Sequence, residues 1–154
     1  HVLSYVPTGR EDFFRWNWIC EIARDYPDLI FHVLASKENA GIPNIEAIEE
    51  IAGEEKRHLF EQCFCLLRPV EHDGIGLTLI EMGQLGRYLF HSDIRIPFAK
   101  PARSVGEIEF HLDEILRRKD QSSPDVANYY VREYSEERLA DDVGQLRERM
   151  ESLV

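Results

Sequence analysis

Apolar positions along the chain fall in short unbroken runs, separated by longer stretches in which they recur every three or four residues. VLSYVP (2–7) is such a run, halted by Pro7 and the turn Thr8-Gly9, and reads as a buried strand. From Asp12 onward Phe14, Trp18, Ile19, Ile22 and Ala23 recur at helical spacing, until DYPD (25–28), where Pro27 disfavours helix in Tyr26. LIFHVLA (29–35) is β-branched and aromatic, a second strand, and SKENAGIP (36–43) is a polar turn. NIEAIEEI (44–51) alternates apolar residues with carboxylates, as a short strand does. GEEKRHLFEQ (53–62) predicts a charged helix burying Leu59 and Phe60. CFCLLRPV (63–70) reads as a strand, GLTLIEMGQLG (76–86) as a buried helix closed by Gly86, and RYLFHS (87–92) as a strand.

Strands alternating with helices imply a parallel sheet covered on both faces, because parallel neighbours need crossover connections. The expected fold is therefore α/β, a Rossmann-like doubly wound parallel sheet with a helical C-terminal segment. DIRIPFAKPA (93–102) reads as a proline-bearing loop. Ser104 and Glu107 form a capping box, and Val105, Ile108, Leu112, Ile115 and Leu116 mark one face of a helix reaching about Lys119. Ser123 and Pro124 open another helix at N-cap and first-turn positions. Ser135, followed by two glutamates, opens a last one striped by Leu139, Val143, Leu146, Met150 and Leu153. At 154 residues the chain is one domain's worth, with the helices of about 104–153 packing on the sheet.

Charge narrows the partners. The formal net charge is −11, and no Lys/Arg-rich stripe interrupts it, so nucleic acid and anionic membranes are poor partners. A small anion still fits, because a helix N-terminus and one or two local cations hold phosphate inside an acidic protein. No apolar run is long enough to span a bilayer, and HVLSYVPTG lacks the regions of a signal peptide. Because His1 leads straight into an apolar segment, the sequence is expected to be cut from a longer polypeptide. Cys20, Cys63 and Cys65 suit neither a disulfide framework nor a zinc site and read as buried thiols in a reducing, cytoplasmic setting. The histidines show no metal-ligand spacing, so neither a metal nor a cofactor is expected.

In an open parallel sheet ligands bind beyond the carboxyl ends of the strands. EHDGIGLT (71–78) leaves the strand CFCLL there and enters a helix. Gly74 and Gly76 permit a tight turn and close backbone approach, and the first amides of the helix, near Leu77 to Leu79, would suit a diphosphate. Spacing alone leaves a blander reading open: Thr78 and Glu81 match a T-x-x-E capping box, and Asp73 is an ordinary turn residue.

The stretch from Asp73 to Glu81, D-GIGLTLI-E, with seven residues between its two acids, resembles the donor motif of family 4 of the retaining GT-B glycosyltransferases. Gly86 and Arg87 continue the likeness, while Tyr88 stands where the family favours proline. The similarity extends to the order of elements over most of the chain, from the strand and helix ending YPDLIFHVLA to the helix opening YSEERLADDV. The resemblance implies the nucleotide-sugar-binding C-terminal half of a two-domain enzyme that transfers a hexose from a nucleoside-diphosphate sugar to an acceptor. By the same resemblance Glu81 bonds ribose hydroxyls and Asp73 faces the transferred sugar. The backbone around Gly74, Ile75, Gly76, Leu77 and Thr78 holds the diphosphate, with the helix N-terminus opposing the charge that grows on the leaving group. The chain contains no D-x-D, which agrees with a metal-independent mechanism.

Two departures stand out. Pro7 falls where the family carries an arginine, leaving Arg10 as the nearby cation that would meet the diphosphate, and Asp73 replaces the commoner glutamate, shortening the reach to the sugar by a methylene. The acceptor half, an N-terminal domain, has no counterpart in this sequence, so catalysis would need it as partner. The competing expectation is a non-catalytic GT-B-like domain used for interaction or regulation. A nicotinamide-type Rossmann enzyme is disfavoured because no G-x-G-x-x-G follows the first strand, and a response regulator because no acidic cluster stands there.

Overall fold

The computed structural model describes residues 1–138 apart from 71, 73 and 120. Its elements are β1 (Val2–Tyr5), α1 (Trp16–Asp25), β2 (Phe31–Leu34), β3 (Ile45–Ile48), α2 (Gly53–Gln62), β4 (Cys65–Arg68), α3 (Leu77–Gln84), β5 (Tyr88–His91), β6 (Lys100–Pro101), α4 (Val105–Arg118) and α5 (Pro124–Glu133). The six strands form one sheet in the order β3-β2-β1-β4-β5-β6, every neighbouring pair parallel. This is a doubly wound α/β fold. The central strands are buried on both faces, which is why they read as unbroken apolar runs.

Each face carries its own core. Ile19, Ile22 and Ala23 of α1 and Ile108, Leu112 and Ile115 of α4 pack with Val2, Phe31, Val33, Cys65, Leu67 and Phe90 on one side. Leu59 and Phe60 of α2, Leu79 and Met82 of α3, and Val126 and Tyr130 of α5 pack with Leu3, Leu34, Leu66 and Leu89 on the other. Successive strand residues supply opposite cores, as a two-residue side-chain period requires.

Three elements differ from the periodicity. The helix expected from Asp12 begins only at Trp16, after a turn that places Arg15 at φ 52° and tucks Phe14 into the core. The segment read as a loop over 93–102 contains β6, which pairs with β5 at the sheet edge; Pro101 lacks an amide donor, and a proline is tolerated in such an edge strand. The helix expected from Ser135 is helical at residues 136–138, and its stripe from Leu139 to Leu153 lies outside the described residues. At several helix ends local chemistry acts as read. Ser104 Oγ accepts the Glu107 amide at 3.2 Å, while the Glu107 carboxylate reaches the Arg103 amide, one residue before the N-cap. Pro124 stands at the start of α5, and Gly86, at φ 69°, closes α3.

Candidate functional site

The strand order reverses between β1 and β4, so the loops leaving these two strands flank a crevice at the carboxyl edge of the sheet. Both loops carry candidate residues. After β1 the chain turns at Gly9, and Arg10 lays its guanidinium over the Phe13 ring, 4.5 Å from the centroid. After β4 it passes through His72, whose ring meets Phe13 edge-on at 5.1 Å. The two loops thus touch through an aromatic contact, and Arg10 is packed on its half-buried member, Phe13.

Gly76 is the N-cap of α3, in extended backbone at φ −84° and ψ 157°. Its carbonyl accepts the amides of Leu79 (3.0 Å) and Ile80 (3.2 Å). The amides of Leu77 and Thr78 have no acceptor among the described residues, and no side chain caps the helix. The capping-box reading of Thr78 and Glu81 therefore fails. Thr78 is the second helical residue, and the Glu81 carboxylate turns to the neighbouring helix, where Lys56 Nζ donates to its Oε1 at 2.7 Å. Glu81 Oε2 is buried and accepts no hydrogen bond among the described residues. A buried acceptor of this kind calls for an explanation, since such atoms are nearly always paired.

Beneath the N-cap lies a cation that strand pattern alone did not single out. Arg68, the last residue of β4, is 6% exposed, and its guanidinium sits 5.3 Å from the ring centroids of Tyr5 and Phe14. A Cβ placed on Gly76 would come within 3.2 Å of Arg68 Nη2, so the glycine is what lets the helix start close above the guanidinium. A buried guanidinium stacked on aromatic faces and set under a helix N-terminus adds to the positive potential that the helix dipole already creates there.

A cleft of about 590 Å³ opens beside these groups. Its walls come from the ends of β1, β2 and β3 (Tyr5, Leu34, Ile48), from the following segment Glu49–Ala52, from Glu55 and Lys56 of α2, and from Thr78 of α3. A smaller cleft of about 270 Å³ lies between α2 and α3 and is lined by Lys56, Phe60 and Glu81 among others. Lys56 borders both.

The structure therefore gathers Gly76, Leu77, Thr78 and Glu81 at one edge, with Gly74 and Ile75 in the exposed approach to the helix and Arg10 on the facing loop. Asp73 lies outside the described residues. Arg68 and Lys56 are the additions. The first had a legible signal, a lone arginine ending the apolar run CFCLL; the second had none, because its meaning depends on α2 packing beside α3. No described helix is long and apolar enough to cross a membrane. No protein-family model matches the chain, and no curated protein matches it significantly.

Proposed function

We propose that the chain is the nucleotide-sugar donor-binding domain of a retaining, metal-independent glycosyltransferase, completed by an acceptor domain. One observation carries this reading: at the crevice where the strand order reverses, α3 starts on a bare glycine with two amides that have no acceptor among the described residues, over a buried arginine. In this reading the diphosphate faces the amides of Leu77 and Thr78 across Gly76, with Gly74 and Ile75 letting the backbone approach. Arg68 supplies, from below, the positive charge for which Arg10 was the candidate in the sequence. As the bond to the sugar breaks, charge grows on the terminal phosphate, and these fixed dipoles and the guanidinium oppose it without reorganising. Asp73 orients the transferred sugar, Glu81 accepts from ribose hydroxyls, and the nucleobase occupies the cleft bordered by Ile48–Ala52.

Calorimetric titration with uridine and guanosine diphosphates and their sugar conjugates tests the assignment. One of the two bases is expected to bind. Glu81→Ala, with the fold intact, is expected to weaken it by about ten- to a hundredfold, the worth of hydrogen bonds to a charged acceptor. Absence of binding by every one of these nucleotides to a folded sample would overturn it. The contact of Arg10 with Phe13 favours a second reading, a domain that keeps the fold but uses it for interaction; binding that disappears in Glu81→Ala rules that reading out.

A further inference from the structure

We infer that Lys56 is a positioning residue for the ribose of the bound nucleotide, acting through Glu81. This deepens the donor-binding reading and rests on it. The ammonium of Lys56 donates to Glu81 Oε1 at 2.7 Å and sits 5.2 Å from the centroid of the Phe60 ring, so it is held by two partners. Its side chain is 30% exposed and that of Glu81 39%, which places the pair at the cleft wall rather than in the core. Only one carboxylate oxygen is engaged. The other, Oε2, is the buried acceptor with no donor among the described residues.

The chemistry of the pair follows from this division. A lysine donates and never accepts, so it fixes one oxygen and cannot itself recognise a hydroxyl. A carboxylate held through Oε1 has lost its freedom to rotate, and Oε2 is left as an acceptor without a donor among the described residues, which a vicinal diol of ribose satisfies by donating. A 2′-deoxyribose offers one donor fewer and leaves a desolvated acceptor poorly satisfied, and sites of that kind discriminate strongly against the analogue lacking the hydroxyl. Without Lys56 the carboxylate swings into solvent and the discrimination goes with it. Lys56 also lines both the 590 Å³ cleft and the 270 Å³ one.

The test compares uridine and guanosine diphosphates with their 2′-deoxy counterparts by calorimetry, on the wild-type chain and on Lys56→Met, Lys56→Gln and Lys56→Arg, each checked by circular dichroism. The wild type is expected to prefer the ribonucleotide by about tenfold or more, Lys56→Met and Lys56→Gln to fall to about twofold or less, and Lys56→Arg to keep the preference. A merely structural lysine would lower affinity for both sugars equally and leave the ratio untouched. An unchanged or larger ratio in folded Lys56→Met or Lys56→Gln overturns the inference while leaving donor binding standing. Wild-type binding with no ribose preference does the same. Failure of the wild type to bind any of the four nucleotides removes the donor reading itself, and this one with it.

Discussion

His32, in the middle strands and 5% exposed, shows how a single side chain carries a pH dependence. Its Nδ1 lies 3.0 Å from the Glu46 carboxylate and its Nε2 2.8 Å from the His1 ring. Burial depresses its pKa below the ordinary histidine value, the Glu46 carboxylate opposing that shift. The unfolded chain therefore takes up a proton that the folded chain resists. The neutral imidazole's contribution is present above about pH 6.5 and is lost as the pH falls through the depressed folded value. Urea unfolding between pH 7.5 and 5 should show a midpoint that falls with pH, and His32→Asn should flatten that slope; an unflattened slope assigns it to another group. Single residues were also where the sequence was hardest to read. Glu81 was identified by spacing, but the cap reading could be excluded only by seeing Lys56 take its oxygen and no side chain cap α3.

Among the elements, α3 depends most on its neighbour. Gly83 faces the ring of Tyr130 on α5, and a Cβ there would lie 2.4 Å from the ring, while Tyr130 is fully buried with its hydroxyl donating to the Pro97 carbonyl at 2.9 Å. The ring cannot retreat without breaking that bond and the core around it. Gly83→Ala is therefore expected to lose stability by about 1–3 kcal/mol through overpacking, despite alanine's better helix propensity. Chemical denaturation checks it, and a variant as stable as the wild type would show that α5 can shift. The glycine was visible in the sequence only as an interruption of a helix. Helix extents and their buried faces were legible because 3.6-residue periodicity is local, as Ile108, Leu112 and Ile115 on α4 illustrate. The start of α1 and the strand β6 were not. The first depends on a left-handed Arg15 that packing tolerates, and the second on a neighbour strand that gives Lys100 and Pro101 something to pair with.

Over the whole molecule, burial of the three cysteines makes their thiols a probe of global opening. Cys20 is 5% exposed and Cys63 and Cys65 not at all; burial pushes the Cys63 thiol up to about 12, the Cys65 thiol well above the ordinary range, and raises that of Cys20. At pH 8 the native protein should react slowly with a disulfide reagent at all three sites, and denaturant should release all three together; rapid labelling of one thiol with the circular dichroism unchanged would expose a local opening instead. The order and kind of the elements other than β6, the doubly wound class and the place of the glycine turn after β4 were determined by the sequence alone. Each follows from apolar period, breakers and caps that act over a few residues. Tertiary structure alone decided that β1 and β4 lie side by side and reverse the strand order there. It also decided that Arg68 lies under Gly76 and that Lys56 clasps Glu81 across two helices. Those pairings depend on the order of strands in the sheet and on the packing of helices against it, which no pattern local to the chain dictates.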